Sequence, residues 1–412
     1  MRVKSQPSFE PLPAPPMLRV PATLRTETPW MRPIGTRVVA GERLTESASQ
    51  LDHWPLAPVT GEIAGEANVT LTSGRQVKAV VLTPVAEQPD QSAQRPTCAE
   101  TAPSDGDRGG WIDRLRSAGI WADRWGSPNL LAQLNESLRR SVDTVVCSVL
   151  DGDPNLPIGA AMAVQETDSL IAGVRQIARI ANAARAIVIL QKRLLPGVAA
   201  TVRRAGGMAV IEIVNDYPQA DPTILLAGVM RRKLRPGRLP TEQGVLLLDA
   251  AAAVAVGRVV TSSTPMLTIP VAMYNHAHNT TLLAVAPVGA SIDDLLDARK
   301  MPAGGFIFRG GDVLRNQRVP RNAVLAGGEI ALHASPGPTP INPDPCIRCG
   351  WCVEACPSCI HPAGLLDASQ RRDHASAEHY GLSACVECGL CDYVCPSRLP
   401  ILNGIRMMRK EA

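Results

Sequence analysis

A chain of 412 residues exceeds what one hydrophobic core organises, so several domains are expected. Hydrophobic residues make up 45% and charged residues 19%, a balance that excludes an intrinsically disordered protein. A formal charge of +4, with Lys scarce beside Arg, does not call for a nucleic-acid partner.

Residues 1–28 are rich in Pro, Ser and Glu without periodicity and are expected to form a flexible tail, with no apolar run to mark a signal peptide. Over 29–84 short apolar pairs alternate with Gly, as in Val39-Ala-Gly41 and Ala57-Pro58-Val-Thr-Gly61, which predicts a small all-β module. Residues 85–110 read as a linker. From 111 to 262 strands alternate with helices. Val142–Leu150 and Ala186–Leu190 are β-branched runs, while Leu170, Val174, Ile177 and Ile180 form one helical stripe. That succession predicts a parallel βαβ sheet.

The most apolar stretch, Gly244–Val260, is interrupted by Asp249 and is shorter than the roughly 20 residues a spanning helix needs, so it reads as a buried strand running into a buried helix. Any work at a membrane would then proceed by docking on an integral partner. Residues 263–333 return to strands around a short acidic helix at Ile292–Asp297, an α+β module, and the Pro-rich stretch 334–345 is a stiff linker. The cysteine region occupies 346–400, and 401–412 is a C-terminal tail.

Nine of the eleven cysteines lie between Cys346 and Cys395. The pattern Cys-x2-Cys-x2-Cys-x3-Cys-Pro occurs twice, as Cys346, Cys349, Cys352, Cys356, Pro357 and as Cys385, Cys388, Cys391, Cys395, Pro396. Three thiolates so spaced reach three irons of one cubane, and in two-cluster ferredoxins the fourth comes from the opposite repeat. The spacing therefore assigns Cys346, Cys349, Cys352 and Cys395 to one [4Fe–4S] cluster and Cys385, Cys388, Cys391 and Cys356 to a second, in a bacterial-ferredoxin-like helical domain. Structural zinc also uses Cys-x2-Cys pairs, but it takes two pairs and four ligands, whereas each half here offers three close cysteines and a fourth. Cys359 is expected to be a small buried residue beside the array, with a spare ligand or redox-sensitive thiol as the other reading. Cys98 and Cys147 have no partner in sequence.

The order of these parts resembles the C subunit of the Rnf-type ion-translocating electron transport complex over about residues 30–410. The resemblance rests on the doubled cysteine array with Cys395-Pro-Ser-Arg-Leu-Pro400, on the Gly-punctuated β module, and more weakly on Tyr217-Pro-Gln219, Leu239-Pro-Thr-Glu-Gln-Gly244 and Val288-Gly289-Ala-Ser-Ile-Asp-Asp-Leu-Leu296. It implies an N-terminal barrel-sandwich hybrid, a Rossmann-like flavin and nicotinamide domain, and a soluble-ligand-binding β-grasp module.

The family's flavin loops are degenerate here. Its Gly-rich phosphate cradle corresponds to Ala118-Gly119-Ile-Trp121-Ala-Asp123-Arg124-Trp125-Gly126-Ser-Pro128, its Asn and acidic signature to Val149-Leu-Asp151-Gly-Asp153-Pro154, and its Pro-Gln-Gly-Gly-Glu to Pro218-Gln219-Ala220-Asp221-Pro222. A phosphate cradle needs Gly so that backbone amides close on the anion. Trp121 and Trp125 are expected to plug the vacated cleft and Asp123 to repel a phosphate, so FMN is not expected.

The leading expectation is an iron–sulfur subunit that relays single electrons between a ferredoxin-like, flavodoxin-like or other soluble carrier and integral-membrane redox subunits, with no span or flavin of its own. It would be cytoplasmic, peripheral on the inner face of the cell membrane. Two alternatives remain open: an FMN-dependent NAD(P)H oxidoreductase subunit with a rearranged cleft near Gly119, Gly126, Asp153 and Gln219, and a structural scaffold positioning the dicluster module. The basic run Arg231–Arg238 is either a solvated helix terminus or a dock for an acidic partner.

Overall fold

A computed structural model describes residues 8–22, 30–46, 53–85, 98, 102–123, 128–301, 304–327, 331–337 and 342–411. The N-terminal sheet is antiparallel, in the order Leu18–Pro21, Gln76–Pro84, Gly61–Thr70, Arg37–Val38. Alternation drives it: Glu62, Ala64 and Glu66 of Gly61–Thr70 are exposed while Ile63 is buried, and a bulge between Ile63 and Gly65 shifts the register.

Leu18–Pro21 corrects the expectation of a flexible tail over 1–28. Leu18 and Val20 are buried in this sheet, and Glu10–Pro11 pairs in parallel with Ala284–Val285 of a different sheet. The start of the chain thus straps two modules together.

The central domain holds four parallel strands in the order Ala209–Ile213, Arg185–Gln191, Thr144–Ser148, Val245–Asp249. Val145, Cys147, Val188, Leu190, Leu246 and Leu248 face helices Thr167–Ala181, Pro196–Ala205 and Ala250–Ser262; Val146, Ile187, Ile189, Val245 and Leu247 face Leu225 and Leu226 of helix Pro222–Met230. The stripe of Leu170, Val174, Ile177 and Ile180 is buried, as its spacing predicts. Strand Val245–Asp249 is an edge, and Gln133 covers it: its Nε2 donates to the Leu247 carbonyl and its Oε1 accepts from the Leu247 amide, both at 2.9 Å.

Helices Thr167–Ala181 and Ala250–Ser262 cross in backbone contact. A Cβ on Gly173 would stand 1.9 Å from the Ala253 carbonyl oxygen, and one on Gly257 would stand 1.8 Å from that of Ser169.

A six-stranded mixed sheet follows, in the order Glu10–Pro11, Thr280–Pro287, Thr268–Asn275, Ala331–Pro336, Phe306–Gly311, Asn316–Val319. Helix Ile292–Ala298 packs with it, started by a capping box between Ser291 and Asp294. Strand Ala331–Pro336 takes up the first residues of the expected linker 334–345. One apolar cluster runs through all three modules, from Leu18 through Val145 to Leu332, whereas the cysteine domain has a separate core of Ile360, Leu365, Leu382, Ile401, Ile405 and Met408. No helix of the described residues is long and apolar enough to cross a membrane.

Candidate metal centre

The duplication seen in the cysteine spacing extends to the backbone. Each cysteine from Cys346 to Cys356 has its counterpart thirty-nine positions on, and the turns match. Arg348 and Glu387 share a left-handed conformation, at φ 56° and 54°, as do Gly350 and Gly389, at 83° and 78°. Short helices Trp351–Glu354 and Leu390–Tyr393 follow, and then the packed pair Pro362–Arg371 and Ile401–Glu411. Left-handed residues two and four positions after the leading cysteine curl each ligand loop back on itself, which gathers three thiols in seven residues.

A small hollow is lined by Cys385, Cys388 and Cys391 of the second repeat and by Cys356 of the first. Val386, Gly389, Leu402 and Ile405 close its wall. Backbone amides reach the sulfurs: Glu387 N–H donates to Cys385 Sγ at 3.3 Å, and the amide of Leu390 bonds Cys388. Burial pushes the Cys385 thiol up to about 11 and raises Cys388 and Cys391, so metal binding must displace their protons. Four soft thiol donors in a shaped, amide-lined hollow fit an iron–sulfur cubane.

The other four cysteines stand nearer the surface. Cys346 and Cys349 are exposed, and Cys352 and Cys395 are partly buried against the domain core. The amide of Ala363 bonds Cys352. Ile347, Trp351 and Tyr393 around this half are 67%, 54% and 74% exposed. Cys359 is exposed too, in a left-handed turn matched by Arg398, which corrects the expectation of a buried residue.

The inner ligand loop is fastened to the body. Tyr217 Oη donates to the Cys388 carbonyl. Arg315 donates to the Val386 carbonyl at 3.2 Å and pairs with Asp221 at 2.8 Å and Asp312 at 3.0 Å. Glu387, inside the Cys385–Cys388 loop, pairs with Arg406 at 2.9 Å and Arg409 at 2.6 Å. Tyr217 and Asp221 lie in segments that the sequence marks only as parts of a flavin-domain resemblance, and Arg315, Arg406 and Arg409 carry no signal there. A further legible signal is Glu387 against Arg348 at the same repeat position, a reversal of charge.

An open cleft of about 760 Å³ lies between the modules and this loop. Arg75, Arg238, Arg315, Arg406, Arg409 and Lys410 line it, with Asp123, Asp221 and Glu387. Asp123 meets Arg75 at 3.4 Å, so its charge is offset and it does not stand as the bare repelling carboxylate expected of it. Arg238, from the basic run, rims the same cleft and pairs with Glu242 at 3.7 Å.

Two of the degenerate loops reach it, through Asp123 and Pro128 and through Asp221 and Pro222, but Gly119, Asp153 and Gln219 do not line it. Gly119 makes the left-handed turn after helix Arg108–Ser117 and packs on Leu56, Asp153 is buried beside His333 at 3.6 Å, and the Gln219 side chain lies along Gly228. Trp121 is buried against Val69, Leu71, Val77 and Val324 of the neighbouring modules. Gly126, Trp125 and Arg124 lie outside the described residues.

Comparison with known proteins agrees with this geometry. Residues 339–396 match the family described as a 4Fe-4S dicluster domain. The chain is 25% identical over 311 residues to the C subunit of the proton-translocating ferredoxin:NAD(+) oxidoreductase complex of Clostridium ljungdahlii, covering 72% of this chain and 66% of that protein. It is 24% identical over 365 residues to the C subunit of the ion-translocating oxidoreductase complex of Vibrio cholerae, covering 84% of this chain and 45% of that protein. The chain thus spans about half to two thirds of the length of these curated relatives. An NAD+-reducing [NiFe]-hydrogenase in its H2-reduced state shares the fold, with a TM-score of 0.50 at 12% identity over 75% of this chain and 61% of that one. The resemblance to the C subunits of Rnf-type complexes, and the iron–sulfur, electron-transport character expected from the cysteine spacing, hold.

Proposed function

We propose that this chain is the iron–sulfur electron-transfer subunit of a membrane-associated redox complex, relaying single electrons between a soluble carrier and membrane subunits. The observation that carries the reading is the cavity in which Cys356 of one repeat joins Cys385, Cys388 and Cys391 of the other. It supports an inner cluster on those four residues and, by the same cross-over, an outer cluster on Cys346, Cys349, Cys352 and Cys395. A [4Fe–4S] cluster supplies one-electron chemistry at a potential tuned by its surroundings.

The protein's own residues divide the labour. Cys385 lines the cleft, so the inner ligand loop stands beside the space open to a donor, while the exposed Cys346 and Cys349 present the outer loop to a partner surface. The soluble carrier, the membrane subunits and a peripheral position on the inner face of the cell membrane belong to this reading.

Flavin is absent from it because Gly119 serves as a helix cap, Trp121 as core and Asp153 as a buried partner of His333. A second reading, an FMN-dependent NAD(P)H oxidoreductase subunit, draws on one observation: six basic side chains line a cleft beside Cys385 that is large enough for a phosphate-bearing cofactor.

Anaerobic purification with iron, sulfide and FMN measured on one sample, followed by spectra with and without NADH, separates the two. The relay predicts about eight irons per chain, no flavin and no NADH response. One FMN per chain with NADH-dependent bleaching would establish the second reading, and a chain without iron would end both.

A further inference from the structure

The inner ligand loop is held by a buried charge that the relay itself does not require. Arg315 sits in the turn between strands Phe306–Gly311 and Asn316–Val319, a position that normally faces water, yet its side chain is 4% exposed. It reaches Asp221, the cap of helix Pro222–Met230, and Asp312 of its own turn. The same turn packs on the loop, since a Cβ on Gly389 would stand 2.8 Å from the Leu314 carbonyl oxygen.

A buried ion pair is weak grounds for a stabilising role, because desolvation offsets the attraction. Its field is another matter. Inside a protein a fixed charge acts through a low effective dielectric, and charge and hydrogen bonding near the sulfurs set the potential of an iron–sulfur site. Arg315 donates to the carbonyl of Val386, between Cys385 and Cys388, so its guanidinium is the positive charge fixed against this loop from the body, with two carboxylates behind it.

We propose that Arg315 is a positioning residue that tunes the inner site, holding its reduction potential above the value Asp221 and Asp312 would otherwise impose. An electron arriving there adds one negative charge, which Arg315 favours and the two carboxylates oppose. The proposal rests on the iron–sulfur reading above.

The test is an anaerobic redox titration of the full-length, cluster-loaded protein, followed by electron paramagnetic resonance. The inner midpoint is identified as the one retained in Cys349→Ala. Arg315→Gln should lower that midpoint and leave the outer one in place, Arg315→Lys should restore most of the loss, and Asp221→Asn should move it upward. Asn still caps a helix, so Asp221→Asn remains informative if Arg315→Gln fails to fold. Opposite signs at constant iron content would not arise from a merely structural role. Midpoints that stay in place, or that move the same way in Arg315→Gln and Asp221→Asn, would overturn the assignment alone. A wild-type chain without iron would overturn the iron–sulfur reading first.

Discussion

Trp121 stacks its indole on the imidazole of His53, with ring centroids 4.4 Å apart and planes 22° from parallel. The ring fills the space over Gly327, where a Cβ would stand 2.3 Å from it, and closes a core made with Val69, Leu71 and Val324. Trp121 therefore joins the N-terminal sheet to the strands after it. Replacing a buried Trp by Ala costs about 3–5 kcal/mol. Trp121→Ala should lower the unfolding free energy by that order in urea titration and should not confer FMN binding, because the ring does not line the cleft at Arg75 and Arg315. Stoichiometric flavin uptake by this variant would show that the tryptophan does block a cofactor.

His53 adds a pH dependence. Burial lowers its imidazole from about 6.5 to about 4. Between those values the unfolded chain binds a proton that the folded one refuses, so the contribution is present above about pH 6.5 and is lost as pH falls toward 4. His53→Phe keeps a ring on Trp121 without the proton. Urea midpoints compared at pH 7.5 and pH 5 should fall less in His53→Phe than in the wild type. Equal falls would place the acid sensitivity elsewhere.

The crossed ligand sets make a distinct prediction about pairs of substitutions. Cys356→Ser with Cys385→Ser should remove one cluster, about four irons, whereas Cys356→Ser with Cys346→Ser should remove both, about eight. Ligation within each repeat would reverse the two results. Iron and sulfide assays on the two double variants decide between them.

What can be read from the sequence is local. Cys-x2-Cys-x2-Cys-x3-Cys-Pro lies within one turn-forming stretch, and the stripe from Leu170 to Ile180 within one helix, so spacing alone carries both. Leu18–Pro21 escapes such a reading because its partner is Gln76–Pro84, and Glu10–Pro11 because it pairs with Ala284–Val285; two to four residues of non-local pairing leave no periodicity. Arg315 reads as a surface residue, since an arginine in a turn following glycines normally is one. For Cys359 the telling comparison is its counterpart: Arg398 at the same repeat position marks an outward-facing turn.

The glycines of the helix crossing look in sequence like weak points of two helices, yet they are the contact. Gly173→Ala would drive a methyl group into the Ala253 carbonyl and Gly257→Ala into that of Ser169. Both are backbone atoms that cannot swing aside, so each variant should lose about 1–3 kcal/mol or more despite the better helix propensity of Ala. Thermal unfolding monitored by circular dichroism would show it. A gain in stability would mean that the helices separate at little cost.

The two cysteine sets are unequally buried. Cys385, Cys388 and Cys391 lie under the body of the protein, while Cys346 and Cys349 are exposed beside Ile347 and Trp351. Iron–sulfur sites open to solvent are the ones that oxidants and chelators reach first, because thiolate loss requires access. A short exposure to air and an iron chelator should therefore release about half of the iron quickly and the remainder slowly. Cys349→Ala should lack the fast phase and Cys356→Ser the slow one. Release in a single phase from the wild type would show that the inner loop opens as readily as the outer, and that the ties from Tyr217 and Arg315 do not hold it closed.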